Sequence, residues 1–382
     1  GMNDQSVDLR YSIHGPVTFI DSIRNKGYSV RCGWLEVGGS PYLASLRMNQ
    51  SNSWEEFREA CNFSNIPGEN MVWADREGNI GWQSVGIAPI RNTHSGLVPV
   101  MGDGNYEWEG YLPIIEKPNI FNPENEFFAT ANQNVTPSSY DKWNAIGFSW
   151  SDPYRGNRVN QVLEKGSNLT MDDMISLQVD YLSIPSIQII EMSNNLELME
   201  PYKSYLQKLK FWNNKLKKNS SEALVYVNWE REIMRQFHMK YVPDQVKDII
   251  DVQLYKVIQK LRESESVDRD QFLKETFISS IDQIKLEFSN NYDDWVYGQD
   301  KYKHIKVKHP LERIVNDSVN KILSFNSYPR GGNAYTPGST GSNLSQSSGA
   351  TFRVIIDTED WDPSLIHISE PTRLLSISYS GL

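Results

Sequence analysis

The chain has 382 residues, 39% of them hydrophobic and 12% aromatic, with 38 basic against 48 acidic side chains for a formal net charge of −10. That length exceeds what one core usually serves, so two structural regions or one large layered domain are expected, packed rather than disordered. The acidic balance disfavours nucleic acid as the main partner, because phosphate binding draws on clustered Lys and Arg, and no apolar run approaches the roughly 18 residues that a membrane span needs.

Residues 8–115 read mainly as strands and turns. YSIHGPVTFI and YSVRCGWLEV are rich in Val, Ile, Tyr and Trp, with Gly and Pro as punctuation. His14 stands before a Gly-Pro turn, where a structural hydrogen bond is its expected use. A short helix is expected at SWEEFREACNF, with Ser53 as N-cap, Glu56 completing a capping box, and Trp54, Phe57 and Cys61 at helical spacing. MVWADREGNIGWQSVGIAPI reads as a hairpin turning over Asp75–Asn79. YEWEGY (106–111) has two readings, a sugar-stacking patch or ordinary strand composition. Cys32 and Cys61 match no metal spacing, and nothing in the spacing supports a disulfide between them.

FFATANQNVTPSSY (127–140) is the first stretch with chemistry in it. Three side-chain amides, Asn132, Gln133 and Asn134, follow an apolar run. One reading is turn chemistry, since Asn bonds its own backbone and tolerates left-handed geometry. The other is a set of neutral, fixed N–H donors, suited to a carbonyl oxygen that becomes negative during acyl transfer.

From about 155 to 315 the pattern turns helical. Thr170 caps LTMDDMISLQVDYL with Asp173 three residues on, and Met174, Leu177 and Tyr181 are expected to share a face. Further amphipathic segments follow near 186–218, 221–237, 244–263 and 270–288, their apolar stripes expected as core. The basic run KLKFWNNKLKK (208–218) reads as the solvated face of a helix. His304 and His309 lie five apart, without helical spacing or a nearby carboxylate, and do not read as a metal site. SYPRGGNAYTPGSTGSNLSQSSGA is a Gly/Ser/Asn-rich loop without the pattern of a phosphate cradle, and TFRVIIDTEDW closes as a strand. Strands, a helical block and a returning strand make an α+β architecture. No G-x-S-x-G, H-E-x-x-H or paired Cys/His cluster offers an internal nucleophile.

A set of stretches taken together is similar to the penicillin acylase family of N-terminal nucleophile hydrolases. They are HGPV (14–17), SWEEFREA (53–60), VWADREGNIGWQSVGIAPIR (72–91), GLVPVMGDGNYEWEGYLP (96–113) and ATANQNVTP (129–137). DPYRGNRV (152–159), LTMDDMISLQVDYLS (169–183), HPL (309–311) and GATFRVIIDTEDWD (349–362) continue the series. Each is weak alone, and the specificity lies in their order and spacing. The resemblance implies a partial αββα sandwich with a helical insertion. Residues 1–154 would be the β-rich part of the core ending in the amide loop, 155–320 the helical region, and 321–362 a return strand. It also implies a mechanism in which a self-processed precursor exposes a Ser whose hydroxyl attacks an amide, its own α-amine acting as base.

On that resemblance Asn134 or Asn132 is the oxyanion-hole donor, with the preference for Asn134 and Asn132 bracing the loop. Arg158 would position the site. The nucleophile is absent from the chain, so the expectation is an internal fragment of the large (β) chain, inactive as given. Its partners would be an N-acyl amide substrate and the missing N-terminal part and small (α) chain of the same precursor. No cofactor is required, calcium is implied for the full-length protein of some relatives, and the family's habit of export implies a periplasmic or extracellular setting. Residues 363–382, with SLIHISEPTRLL resembling a translated library adapter, are expected to be a non-native tail. The competing class is a non-catalytic ligand-binding module or an inactive homologue.

Overall fold

The computed structural model describes residues 6–299, 304–305, 310–323, 328–339, 345–346, 353–360 and 365–367. The chain divides into two compact units, residues 1–130 with 134–150, and residues 131–133 with 151–382. It therefore passes from one to the other within the amide stretch itself.

In the first unit, β1 (Tyr11–Ser12), β2 (Gly15–Asp21) and β3 (Lys26–Ser29) form an antiparallel sheet in chain order. Gly15 begins β2 at φ +116°, and a Cβ there would lie 2.3 Å from the Val30 carbonyl oxygen, so both the conformation and the space require glycine. His14 makes the expected structural bond, its Nε2 2.6 Å from Glu107 Oε1. Arg31 also donates to Glu107, at 3.1 Å, and stacks over Trp108 at 4.4 Å. YEWEGY is thus engaged internally, with a face of Trp108 covered.

Helices α1 (Ala44–Met48) and α2 (Trp54–Cys61) follow. Ser53 caps α2 by accepting from Glu56 N, but the Glu56 carboxylate accepts from the backbone N–H of Asn52, one residue beyond the N-cap of the expected box. Trp54, Phe57 and Cys61 face inward as their spacing predicts, packing with Val85 and Ile114. The second sheet is antiparallel in the order β4 (Asn70–Ala74), β5 (Ile80–Ser84), β6 (Asn119–Phe121). Its hairpin turns where predicted. Asp75 accepts from the Asn79 backbone N–H at 2.8 Å, the Asn79 amide at 2.9 Å and the Trp73 indole at 3.2 Å. Beyond β5, buried Lys117 donates to the carbonyls of Val85 (2.7 Å) and Gly86 (3.0 Å). Desolvation lowers its pKa to about 8. The unit closes with α3 (Trp143–Ile146).

The second unit is mainly helical: α4 (Tyr154–Lys165), α5 (Met171–Gln178), α6 (Ile184–Met192), α7 (Tyr202–Lys210), α8 (Ser221–Tyr241), α9 (Leu254–Glu263), α10 (Ser266–Glu287) and α11 (Asp317–Leu323). The apolar stripes are core, as expected. At the centre, Trp229 of α8 meets Phe277 of α10 edge-to-face at 4.9 Å, and its indole N–H donates to Thr276 Oγ1 at 3.1 Å. Buried Glu232 accepts from Arg235, Gln236 and Ser279. Burial raises its pKa, but these donors more than offset that and bring it to about 2.

Thr170 and Asp173 complete a capping box at α5. The helix ends at Gln178, so Tyr181 leaves the face predicted for it. A Cβ on Gly331, Gly332 or Gly338 would come within 3.0 Å of its ring, which gives the Gly-rich loop a packing role. Short strands β7 (His304–Ile305), β8 (Tyr328–Pro329) and β9 (Ser345–Gln346) form one sheet, and β10 (Arg353–Ile355) pairs antiparallel with β11 (Leu365–His367). His309 and the His304 side chain lie outside the described residues, as does most of the expected tail. Both thiols are free, and burial pushes Cys61 up to about 12.

Candidate active site

The amide stretch is led in by Phe128, stacked on Trp82 of β5 at 4.5 Å. Asn132 then turns left-handed, at φ +69°, a conformation that Asn tolerates better than most residues. Its backbone carbonyl accepts from Ser151 N at 3.0 Å, and its side-chain Oδ1 accepts from Arg155 Nη2 at 2.8 Å. Gln133 is buried, its Oε1 accepting from Ala131 N at 2.6 Å. The Gln133 side chain lies directly on α4: a Cβ at Gly156 would sit 2.3 Å from its Cδ and Nε2. That explains a glycine inside a helix, where it costs roughly 0.5–1 kcal/mol relative to alanine.

Asn134 is held differently. It is exposed, and its Oδ1 accepts from Thr136 N at 3.0 Å, a local Asx turn. In both asparagines the side-chain oxygen is occupied, and neither Nδ2 has a partner among the described residues. The turn reading thus holds at Asn134, and the Asn132 oxygen is taken by α4 instead.

Arg158, singled out from the sequence, does not hold the loop directly. Its Nε and Nη2 both donate to Asp180 Oδ2, at 2.8 and 2.6 Å, while Asp180 Oδ1 accepts from Leu182 N at 2.7 Å. The residue on the loop is Arg155, one helical turn earlier, half-buried and with its pKa lowered by desolvation. The i, i+3 spacing of the two arginines, which places them on one face of α4, was the available signal for it.

Chemically, the stretch offers neutral N–H donors oriented by bonds to their own oxygens, one of them polarised by a guanidinium. Among the described residues no group of three or more His, Cys, Asp or Glu could hold a metal ion. The calcium implied for some full-length relatives thus finds no cluster of three such side chains within them. No helix among them is long and apolar enough to cross a membrane.

A sequence model of one family, described as penicillin amidase, matches residues 1–370. The chain belongs to the penicillin amidase family. It is 26% identical to penicillin G acylase of Escherichia coli over 162 residues, 42% of this chain and 19% of that protein. It is 28% identical to the acyl-homoserine lactone acylase QuiP of Pseudomonas fluorescens over 186 residues, 44% of this chain and 22% of that one. With penicillin acylase 2 proenzyme of a Pseudomonas species the identity is 23% over 239 residues, 62% of this chain and 30% of the relative. The matches thus span about a fifth to a third of these relatives' length. Among solved structures, a thermostable penicillin G acylase from Alcaligenes faecalis superimposes with a TM-score of 0.64 at 19% identity, over 77% of this chain and 60% of that one. The likeness shows the fold, the mixed helix-and-sheet N-terminal nucleophile hydrolase architecture expected for the family.

Proposed function

We propose that this chain is part of an amidase that hydrolyses a linear amide of an N-acyl compound through a serine acyl-enzyme. The serine lies on a portion of the protein preceding Gly1, and the chain completes a working site together with that portion and a small chain from the same precursor. Its Oγ attacks the carbonyl carbon while the α-amine of the same residue takes the hydroxyl proton. That amine, with an ordinary pKa near 8, accepts a proton at neutral pH without a histidine. The proton passes to the departing amine as the C–N bond breaks, and water then releases the acyl group. No cofactor enters this chemistry.

In this reading Asn134 donates its amide N–H to the oxygen that becomes negative, Asn132 braces the loop against α4, and Arg158 is a positioning residue acting through Asp180. The observation that carries it is the way both amide oxygens are engaged, while neither Nδ2 has a partner among the described residues. The names of the relatives, acylases for penicillin G and for acyl-homoserine lactones, support an amide with an apolar acyl group as the substrate class.

The test is a quench-and-mass measurement on the complete gene product during turnover of a phenylacetyl amide. An added phenylacetyl mass on an N-terminal serine of the large chain is expected. Turnover without any covalent adduct, or a complete gene that encodes no such serine upstream of Gly1, contradicts the proposal.

A further inference from the structure

Arg91 lies in the first unit, after the hairpin and outside the amide stretch. It is half-buried, and its guanidinium has no hydrogen-bond or ion-pair partner among the described residues. Its Nε is fully shielded and unsatisfied, whereas Nη1 and Nη2 remain in touch with solvent. A desolvated charge without an acceptor is costly, and burial lowers the Arg91 pKa accordingly.

The nearby acids do not relieve it. Glu109 accepts from Asn92 Nδ2 at 2.6 Å, and Glu107 is taken by His14 and Arg31. Three residues on, His94 Nδ1 is also buried without a partner among the described residues, so a second shielded, unpartnered nitrogen lies three positions from Arg91. Two positive-φ glycines line the guanidinium. A Cβ at Gly96 would lie 2.3 Å from Nη1, and one at Gly147 would lie 3.5 Å from Nη2. A side chain at Gly96 would collide with the fork itself.

We propose that Arg91 is the anchor of a binding site for a small carboxylate, received end-on by Nη1 and Nη2. The planar fork matches the two oxygens of that group, and a bond between two charged partners is about twice as strong as a neutral one. The inference does not depend on the reading of the amide stretch.

The experiment is calorimetric titration of the complete, processed protein at pH 7 with succinate, with neutral succinamide as control, on wild type, Arg91→Gln and Arg91→Lys. Succinate should bind wild type and raise its melting temperature, and succinamide should do neither. Arg91→Gln should weaken succinate binding about tenfold or more, as the loss of a charge-assisted bond predicts. Arg91→Lys keeps the charge without the fork and should fall between, which keeps the test decisive if the glutamine variant fails to fold. Equal binding of succinate by wild type and the lysine variant overturns the proposal. So does wild type binding succinate no better than succinamide, including the case in which Arg91→Gln simply melts lower because a polypeptide carboxylate fills the site.

Discussion

The α8–α10 core and the loops around β5 handle buried polar groups in opposite ways. In the former, Glu232 is met by an arginine, a glutamine and a serine, and Trp229 donates to Thr276. In the latter, Lys117 has carbonyls but no carboxylate, while Arg91 Nε, His94 Nδ1 and Thr130 Oγ1 are shielded without partners among the described residues. A matched network rigidifies a scaffold, whereas unmatched groups store a cost that a ligand or a reaction can relieve. The amide stretch repeats the contrast on a smaller scale. Asn132 and Gln133 are tied to α4, and Asn134 is held only by its own turn.

The largest effect expected from this contrast is at Lys117. Its folded pKa, about 8, lies below the ordinary 10.5, so between these values the unfolded chain binds more protons and stability rises with pH. Denaturant titrations across that window should show a gain of up to about 3 kcal/mol, and Lys117→Met should flatten the curve. An unchanged slope in the variant would mean that this lysine is as well matched as the groups of the α8–α10 core.

A smaller effect is expected at Gly156. Replacement by Ala drives a methyl into the Gln133 side chain, and such overpacking costs about 1–3 kcal/mol, less the roughly 0.5–1 kcal/mol that alanine gains in a helix. In a Gln133→Ala background the same change should become neutral or stabilising. Additive losses in that double-mutant cycle would show that the two residues are not packed as described.

Much of the scaffold was legible because its causes are local. Asp75 and Asn79 carry their own turn, Thr170 carries its cap, and the stripe of Trp54, Phe57 and Cys61 declares a buried face. The candidate site was legible in its residue types but not in its pairings. ANQN showed amides, yet which oxygen would meet Arg155, and that Arg158 would turn to Asp180, depends on backbone distant in sequence. Periodicity places Tyr181 on a helix face, but α5 stops at Gln178 and the ring packs against three glycines far along the chain. Likewise, nothing in the composition around Lys117 or Arg91 shows that burial would leave each without a carboxylate.

The most direct test compares kcat and melting temperature of Asn134→Ala and Asn132→Ala in the complete, processed protein. Loss of an oxyanion donor costs about 100- to 1000-fold in kcat, so the Asn134 variant should lose that much while melting like wild type. The Asn132 variant should lose stability first, through its bond to Arg155. A loss of less than about threefold in kcat for both, far below the worth of such a donor, would contradict the account.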